Sequence, residues 1–254
     1  MTRTRVPFVA LLVMMALGIV LAGSAAAQAP APRLGHFKCY IATGEPVNET
    51  VGTQDQFDIA DQTGFEPTDV RQAVRLCNPV EKIHKRRVFP IPDRRAHLTL
   101  YLAPTHNIEP TRRVVVDNQF GKARLLTFNP LVLAAPTQKN NEGFPEDLDH
   151  YKCYRAYGAS AKAVVTLRDQ FSVEERVEVG RPLLFCNPTR KIHAAGAVFG
   201  VNNATDHLVC YQTERRPFER SVTTLDQFGT HQLRLREADL LCAPTEKLDF
   251  ERLQ

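Results

Sequence analysis

The stretch "AHLTLYLAPT" (96–105) mixes aliphatic, Thr and Tyr residues and reads as a β-strand. Beside it stand "DHYKCYRAYG" (149–158) and "DHLVCYQTER" (206–215), where Cys follows His by three residues and precedes Tyr. In 96–105, Leu100 occupies the position of that Cys. The three stretches are therefore copies of one unit that differ at a single chemically decisive position.

Working outward, the same unit occurs four times. Copy one runs "HFKCY" (36–40), "DQF" (55–57), "LCNPVEKIH" (76–84). Copy two runs "HLTLY" (97–101), "DNQF" (117–120), "LAAPTQK" (133–139). Copy three runs "HYKCY" (150–154), "DQF" (169–171), "FCNPTRKIH" (185–193), and copy four "HLVCY" (207–211), "DQF" (226–228), "LCAPTEK" (241–247). In copies one, three and four the first Cys precedes the Gln by 17 residues each time.

Copy two lacks both cysteines, with Leu100 at the first position and Ala134 at the second. A single loss would leave an orphan thiol; a joint loss is what a bonded pair shows. The six cysteines are therefore expected to pair as Cys39–Cys77, Cys153–Cys186 and Cys210–Cys242, one bridge in each cysteine-bearing copy.

The segments between motifs are strand-like. "AVVTLRDQF" (163–171) and "SVTTLDQF" (221–228) are rich in β-branched residues, while "RVEV" (176–179) and "QLRLR" (232–236) alternate. The 17 prolines and 13 glycines interrupt any long helical pattern. These features predict an all-β fold of about four short strands per copy. Copies one and three end in "CNPxxKIH", whereas two and four carry Ala before Pro. This odd–even period predicts two tandem β-sandwich or β-barrel units, each a pseudo-twofold duplication of a half-repeat of about 45 residues. The first would span 28–140 (half-repeats 36–84 and 97–139) and the second 148–254 (half-repeats 150–193 and 207–248), joined by a linker at 141–147. A single large β-structure is the alternative.

Residues 1–27 read as a secretory signal peptide: Arg3 and Arg5, an apolar run from Val6 to Leu21, then "AAA" ending at Ala27. Its removal takes two arginines and lowers the net charge from +4 to +2, which is little reason to expect a polyanionic partner. An even cysteine count fits an oxidising, secreted or periplasmic location. No later stretch is long and apolar enough to hold the chain in a membrane.

The combination of His-x-x-Cys-Tyr, "DQFG" (226–229) and Leu-Cys-x-Pro-x-x-Lys resembles a family of uncharacterised exported bacterial proteins with a repeated cysteine-containing β domain. The resemblance covers nearly all of the chain after residue 27. It implies class and compartment, and no activity.

The residues with chemical capacity are few. His36, His97, His150 and His207 are weak metal candidates, because repetition in every copy suits a strand-start framework role better. The aspartates before Gln-Phe (Asp55, Asp117, Asp169, Asp226) suit turn caps better than calcium ligands. The basic run "EKIHKRR" (81–87) reads as a solvated connector. Copy one has an insertion: Phe57 to Cys77 is 20 residues, against 14 or 15 elsewhere. Its Asp58, Asp61, Glu66 and Asp69 form a possible ligand loop.

No catalytic residue is assigned and no cofactor is expected. Bridged cysteines leave no thiol nucleophile, and Ser160, Ser172 and Ser221 lie in no Gly-x-Ser-x-Gly. There is no P-loop, dinucleotide fingerprint or His-Glu-x-x-His, and without Trp or an aromatic run nucleic acid is not an expected partner. A binding or structural module contacting a surface polymer or protein is the leading expectation. A carboxylate-dependent secreted hydrolase and a His/Asp metal-binding protein are the alternatives.

Overall fold

Copy one supplies β1 (His36–Thr43), β2 (Pro46–Gln54), a short helix α1 (Gln56–Asp61), β3 (Glu66–His84) and β4 (Arg87–Phe89). Copy two supplies β5 (His97–Leu102), β6 (Arg112–Asn118) and β7 (Gly121–Lys139). Copy three supplies β8 (His150–Tyr157), β9 (Ala163–Arg168), β10 (Val173–Ile192) and β11 (Val198–Phe199). Copy four supplies β12 (His207–Thr213), β13 (Arg220–Asp226) and β14 (Gly229–Arg252). The computed structural model describes residues 34–193 and 195–253, so the expected leader at 1–27 lies outside the described residues. The fold is all-β and antiparallel; none of the described helices is long and apolar enough to cross a membrane.

Every copy folds the same way. Its first strand pairs with the middle of its long third strand, in the register Cys39↔Cys77, Leu100↔Ala134, Cys153↔Cys186 and Cys210↔Cys242. The far side of each third strand takes the first strand of the next copy: β3 with β5, β7 with β8, β10 with β12. The last such pair is β14 with β1, Phe37 opposite Cys242. Eight strands thus close on themselves, and closure leaves no edge in that ring.

One cluster of buried residues draws on all eight of these strands, so it fills the barrel's interior. Phe37, Cys39, Leu98, Leu100, Tyr151, Cys153, Leu208 and Cys210 come from the first strands, with Cys77, Ala134, Cys186 and Cys242 opposite. The three expected disulfides are present. They lie close together: Cys39 Sγ is 3.6 Å from Cys242 Sγ of the neighbouring bridge.

The outer faces of the same strands are covered as well, so His36–Tyr40, His97–Tyr101, His150–Tyr154 and His207–Tyr211 are buried throughout. That is why these strands show no alternation of apolar and polar residues. The cover comes from the second strands, β2, β6, β9 and β13. Each forms a hairpin with its own third strand and also pairs with the third strand two copies along: β2 with β10, β6 with β14, β9 with β3, β13 with β7. Register shifts at Ala73/Arg75 and Val179/Pro182 bend β3 and β10 so that one strand serves both barrel and arm.

The expected division into two units is corrected by these pairings. Residues 141–147 connect β7 to β8, which are hydrogen-bonded neighbours, and the described residues fall in one compact unit. Copies one and four, placed in different units by the odd–even reading, pair directly. The single β-structure, kept as the alternative, is the one observed. The copy-one insertion also contributes an element that strand patterning did not predict, α1, whose capping box joins Asp55 and Asp58.

Candidate functional site

The Asp-Gln-Phe corner is the joint between copies. One oxygen of the Asp accepts the backbone N–H of the Phe two residues on: Asp55 from Phe57 at 2.7 Å, Asp169 from Phe171 at 3.1 Å, Asp226 from Phe228 at 2.8 Å. The other oxygen accepts a tyrosine hydroxyl from two copies along the ring: Tyr154 on Asp55, Tyr40 on Asp169 and Tyr101 on Asp226, at 2.7–2.9 Å. The Phe of each corner packs edge-on against that same tyrosine, with centroids 5.0–5.3 Å apart.

Copy two corrects the expected alignment. Asn118, not Asp117, takes the corner position; its Oδ1 accepts Phe120 N–H at 2.9 Å, and its Nδ2 donates to Tyr211 at 2.9 Å. Both oxygens of each corner carboxylate are thus engaged, one by a backbone N–H and the other by a tyrosine hydroxyl.

The repeated histidines stand apart from one another's ligands. His97 pairs with Glu142 and His150 with Gln227, both at 2.9 Å, while His36 packs on Phe89 and His207 on Phe185. Burial pushes His36, His150 and His207 down to about 3 and His97 to about 4, with a nearby lysine adding to each shift. They are neutral framework residues at neutral pH. The basic run 81–87 is also corrected in part. Lys82 is fully buried, its Nζ 4.1 Å from the Phe89 ring centre and 4.6 Å from that of Phe120. Burial, then Arg87, lowers it to about 7.

The insertion in copy one builds the densest charged site. Lys152 on β8 is buried, and its Nζ lies 3.0 Å from Asp58, 2.6 Å from Glu66 and 2.7 Å from Glu109. Among the described residues, these carboxylates are the one group of three potential ligands whose oxygens converge, all within 4.8 Å of one another. Arg112 closes the far side, bonding Glu109 at 2.8 Å and Asp61 at 2.5 Å, with its guanidinium 4.5 Å from the Phe57 ring centre.

Burial, with Asp55 adding, raises Asp58 to about 7 despite Lys152. Burial also raises Glu66. Glu109 suffers the same burial, but Lys152 and Arg112 outweigh it and hold its carboxyl low. Lys152 is raised, because its ring of carboxylates outweighs the burial that would lower it. The site is a closed ion cage: the ammonium stands where a metal would have to stand.

Asp58, Asp61 and Glu66 of the expected ligand loop therefore meet in one place. Asp69 does not: it is held by Thr50 and His106, each at 3.0 Å, on the outer surface. Sequence reasoning missed Lys152, Glu109 and Arg112. The usable signal was a Lys inside "HYKCY", a strand whose flanking positions all belong to the buried motif.

A family model described as a repeat of unknown function (DUF7450) matches residues 102–244, more than half of the chain. The chain belongs to this repeat family. In this member the match runs from the end of β5 to the middle of β14 and takes in the corners of copies two, three and four. A comparison with curated proteins and with solved structures finds no match.

Proposed function

We propose that the protein is an exported binding or structural module whose disulfide-filled barrel presents its surface to a cell-surface polymer or protein partner. The observation that carries this reading is the filling of the carboxylate cage by Lys152 Nζ, 2.6–3.0 Å from each acid. The corner aspartates are likewise committed to joints between copies, and His97 and His150 to hydrogen bonds with Glu142 and Gln227. An oxidising compartment suits the three bridges, which would persist there without upkeep.

The second reading, a carboxylate-dependent hydrolase, draws on the unequal acids Asp58 and Glu109, one raised and one lowered. Against it, Lys152 and Arg112 occupy the space a substrate would need. The test is capture from cell envelope and spent medium on the oxidised protein, with and without chelator, alongside a glycoside and ester hydrolysis screen. The module reading expects a chelator-insensitive retained partner and no turnover. Turnover abolished by Glu109→Gln would overturn it.

A further inference from the structure

Every copy carries a lysine five residues after its second cysteine position: Lys82, Lys139, Lys191 and Lys247. Each reaches the corner of the next copy, its Nζ 4.6–4.9 Å from a phenylalanine ring centre, Phe120, Phe171, Phe228 and Phe57 in turn. The four differ in what else the amine meets. Lys139 Nζ donates to Oδ1 of Asn78 at 3.2 Å, and Lys247 Nζ to Oδ1 of Asn187 at 3.3 Å. In copies two and four, Ala135 and Ala243 stand at the asparagine position. Lys82 and Lys191, the two lysines left over, have no hydrogen-bond partner among the described residues.

Each Lys–Asn pair ends on a corner carboxylate. Asn78 Nδ2 donates to Asp169 Oδ2 at 3.0 Å, and Asn187 Nδ2 to Asp55 Oδ2 at 2.9 Å. Two sets, Lys139–Asn78–Asp169 and Lys247–Asn187–Asp55, thus hold amine, carboxamide and carboxylate in the same order. Asn78, Asn187 and Lys139 are fully buried. Phe171 lies against the Lys139 amine, and Phe57 and Phe250 against that of Lys247. Lys139 also meets Gln170 and, at 3.4 Å, Glu142. Burial lowers Lys139 in spite of Glu142, and lowers Lys247 to about 8 in spite of Asp55. The uncharged, nucleophilic form of each amine is therefore brought closer to neutral pH.

We propose that each of these two pairs joins covalently, as an amide between lysine Nζ and asparagine Cγ that the folded chain forms by itself. A nucleophile held at hydrogen-bond distance from a carbonyl oxygen is in near-attack range of its carbon. The lone pair of the uncharged amine forms the Cγ–Nζ bond, the Cγ–Nδ2 bond breaks, and Nδ2 leaves as ammonia. The proton that Nζ gives up passes to Asp169 or Asp55 and from there to Nδ2, which that carboxylate already contacts. The carboxylate is returned unchanged, and no oxidant or co-reactant enters the balance. These bonds tie β3 to β7 and β10 to β14, copy one to copy two and copy three to copy four, whereas each disulfide stays within a copy. The inference is independent of the module reading.

The test is peptide mapping by mass spectrometry of the full chain after residue 27, folded, then reduced, alkylated and digested with trypsin. Two branched peptides are expected, one holding Asn78 with Lys139 and one Asn187 with Lys247, each lighter than its two linear peptides together by one ammonia. Location decides the result, because cyclisation of an N-terminal Gln28 also sheds ammonia. Lys82 and Lys191 are built-in controls, expected in linear peptides alone. Asp169→Asn keeps a corner residue that copy two already uses, Asn118. It is expected to abolish the Asn78 branch and leave the Asn187 branch, as is Lys139→Arg. Absence of a branched peptide from the unmutated chain overturns the proposal for that pair, whatever the variants do. Branching at Lys82 or Lys191 instead, or an Asn78 branch that persists at the same yield in Asp169→Asn, overturns the chemistry assigned to these sets.

Discussion

At the centre of the barrel Leu100 faces Ala134, and one step round the ring Cys153 faces Cys186 in the same register. The backbone pairing is the same with and without the sulfur bridge. Register is therefore set by the hydrogen-bonded ring and the corner joints, and the bridges add stability to a geometry that does not require them. Copy two departs a second time at its corner, where neutral Asn118 stands in for the aspartates of the other copies. The member with the least covalent support also has the least charged joint.

The largest effect should come from making copy three resemble a copy two without its fillers. Cys153→Ala with Cys186→Ala opens a 33-residue loop in the unfolded chain and leaves a cavity; it is expected to cost about 4 kcal/mol or more in denaturant unfolding. Replacing the same pair by Leu and Ala, the copy-two residues, should recover part of that loss, and equal destabilisation by the two double variants would break the comparison.

Lys152 gives the next effect. Its counterparts in copies two and four are Thr99 and Val209, so the strand itself has no need of a lysine. Lys152→Met should still cost about 3 kcal/mol at neutral pH, because three carboxylates lose their cation. Asp58 and Glu66 titrate above their unfolded values, near 4, even with Lys152 in place, and without it they titrate higher still. The loss should therefore grow as pH rises through neutrality and shrink below about pH 4, where the acids are protonated in both states. A pH-independent loss would show that the cage is not electrostatic.

The converse engineering should have a smaller effect. Leu100→Cys with Ala134→Cys is expected to form a fourth bridge, seen as loss of two hydrogens by mass, and to add about 2 kcal/mol. Smallest is the corner contrast. Tyr154→Phe removes a donor from the Asp55 carboxylate and should cost about 2 kcal/mol, whereas Tyr211→Phe leaves only a neutral amide and should cost about 1. Equal costs would remove the distinction between charged and neutral joints.

Much of the barrel interior was legible in the sequence, because a covalent pair leaves a joint trace: Leu100 and Ala134 are missing cysteines together. Ring closure was not legible. The β1–β14 pairing joins Cys39 to Leu240 with no local pattern to announce it. The odd–even period was real but was assigned the wrong cause. Asn78 bonds Asp169 and Asn187 bonds Asp55, at 3.0 and 2.9 Å, so copies one and three share "CNP" because they grip each other across the ring. The ion cage was half legible. The insertion flagged Asp58, Asp61 and Glu66, but their cations sit in copies two and three, where only the three-dimensional fold brings them near.

The central claim is that four copies close one cooperative barrel. Scanning calorimetry of the oxidised chain after residue 27 tests it most directly. One transition with a van't Hoff to calorimetric enthalpy ratio of about 1 is predicted; two transitions, or a ratio of about one half, would mean two independent two-copy units and would contradict it.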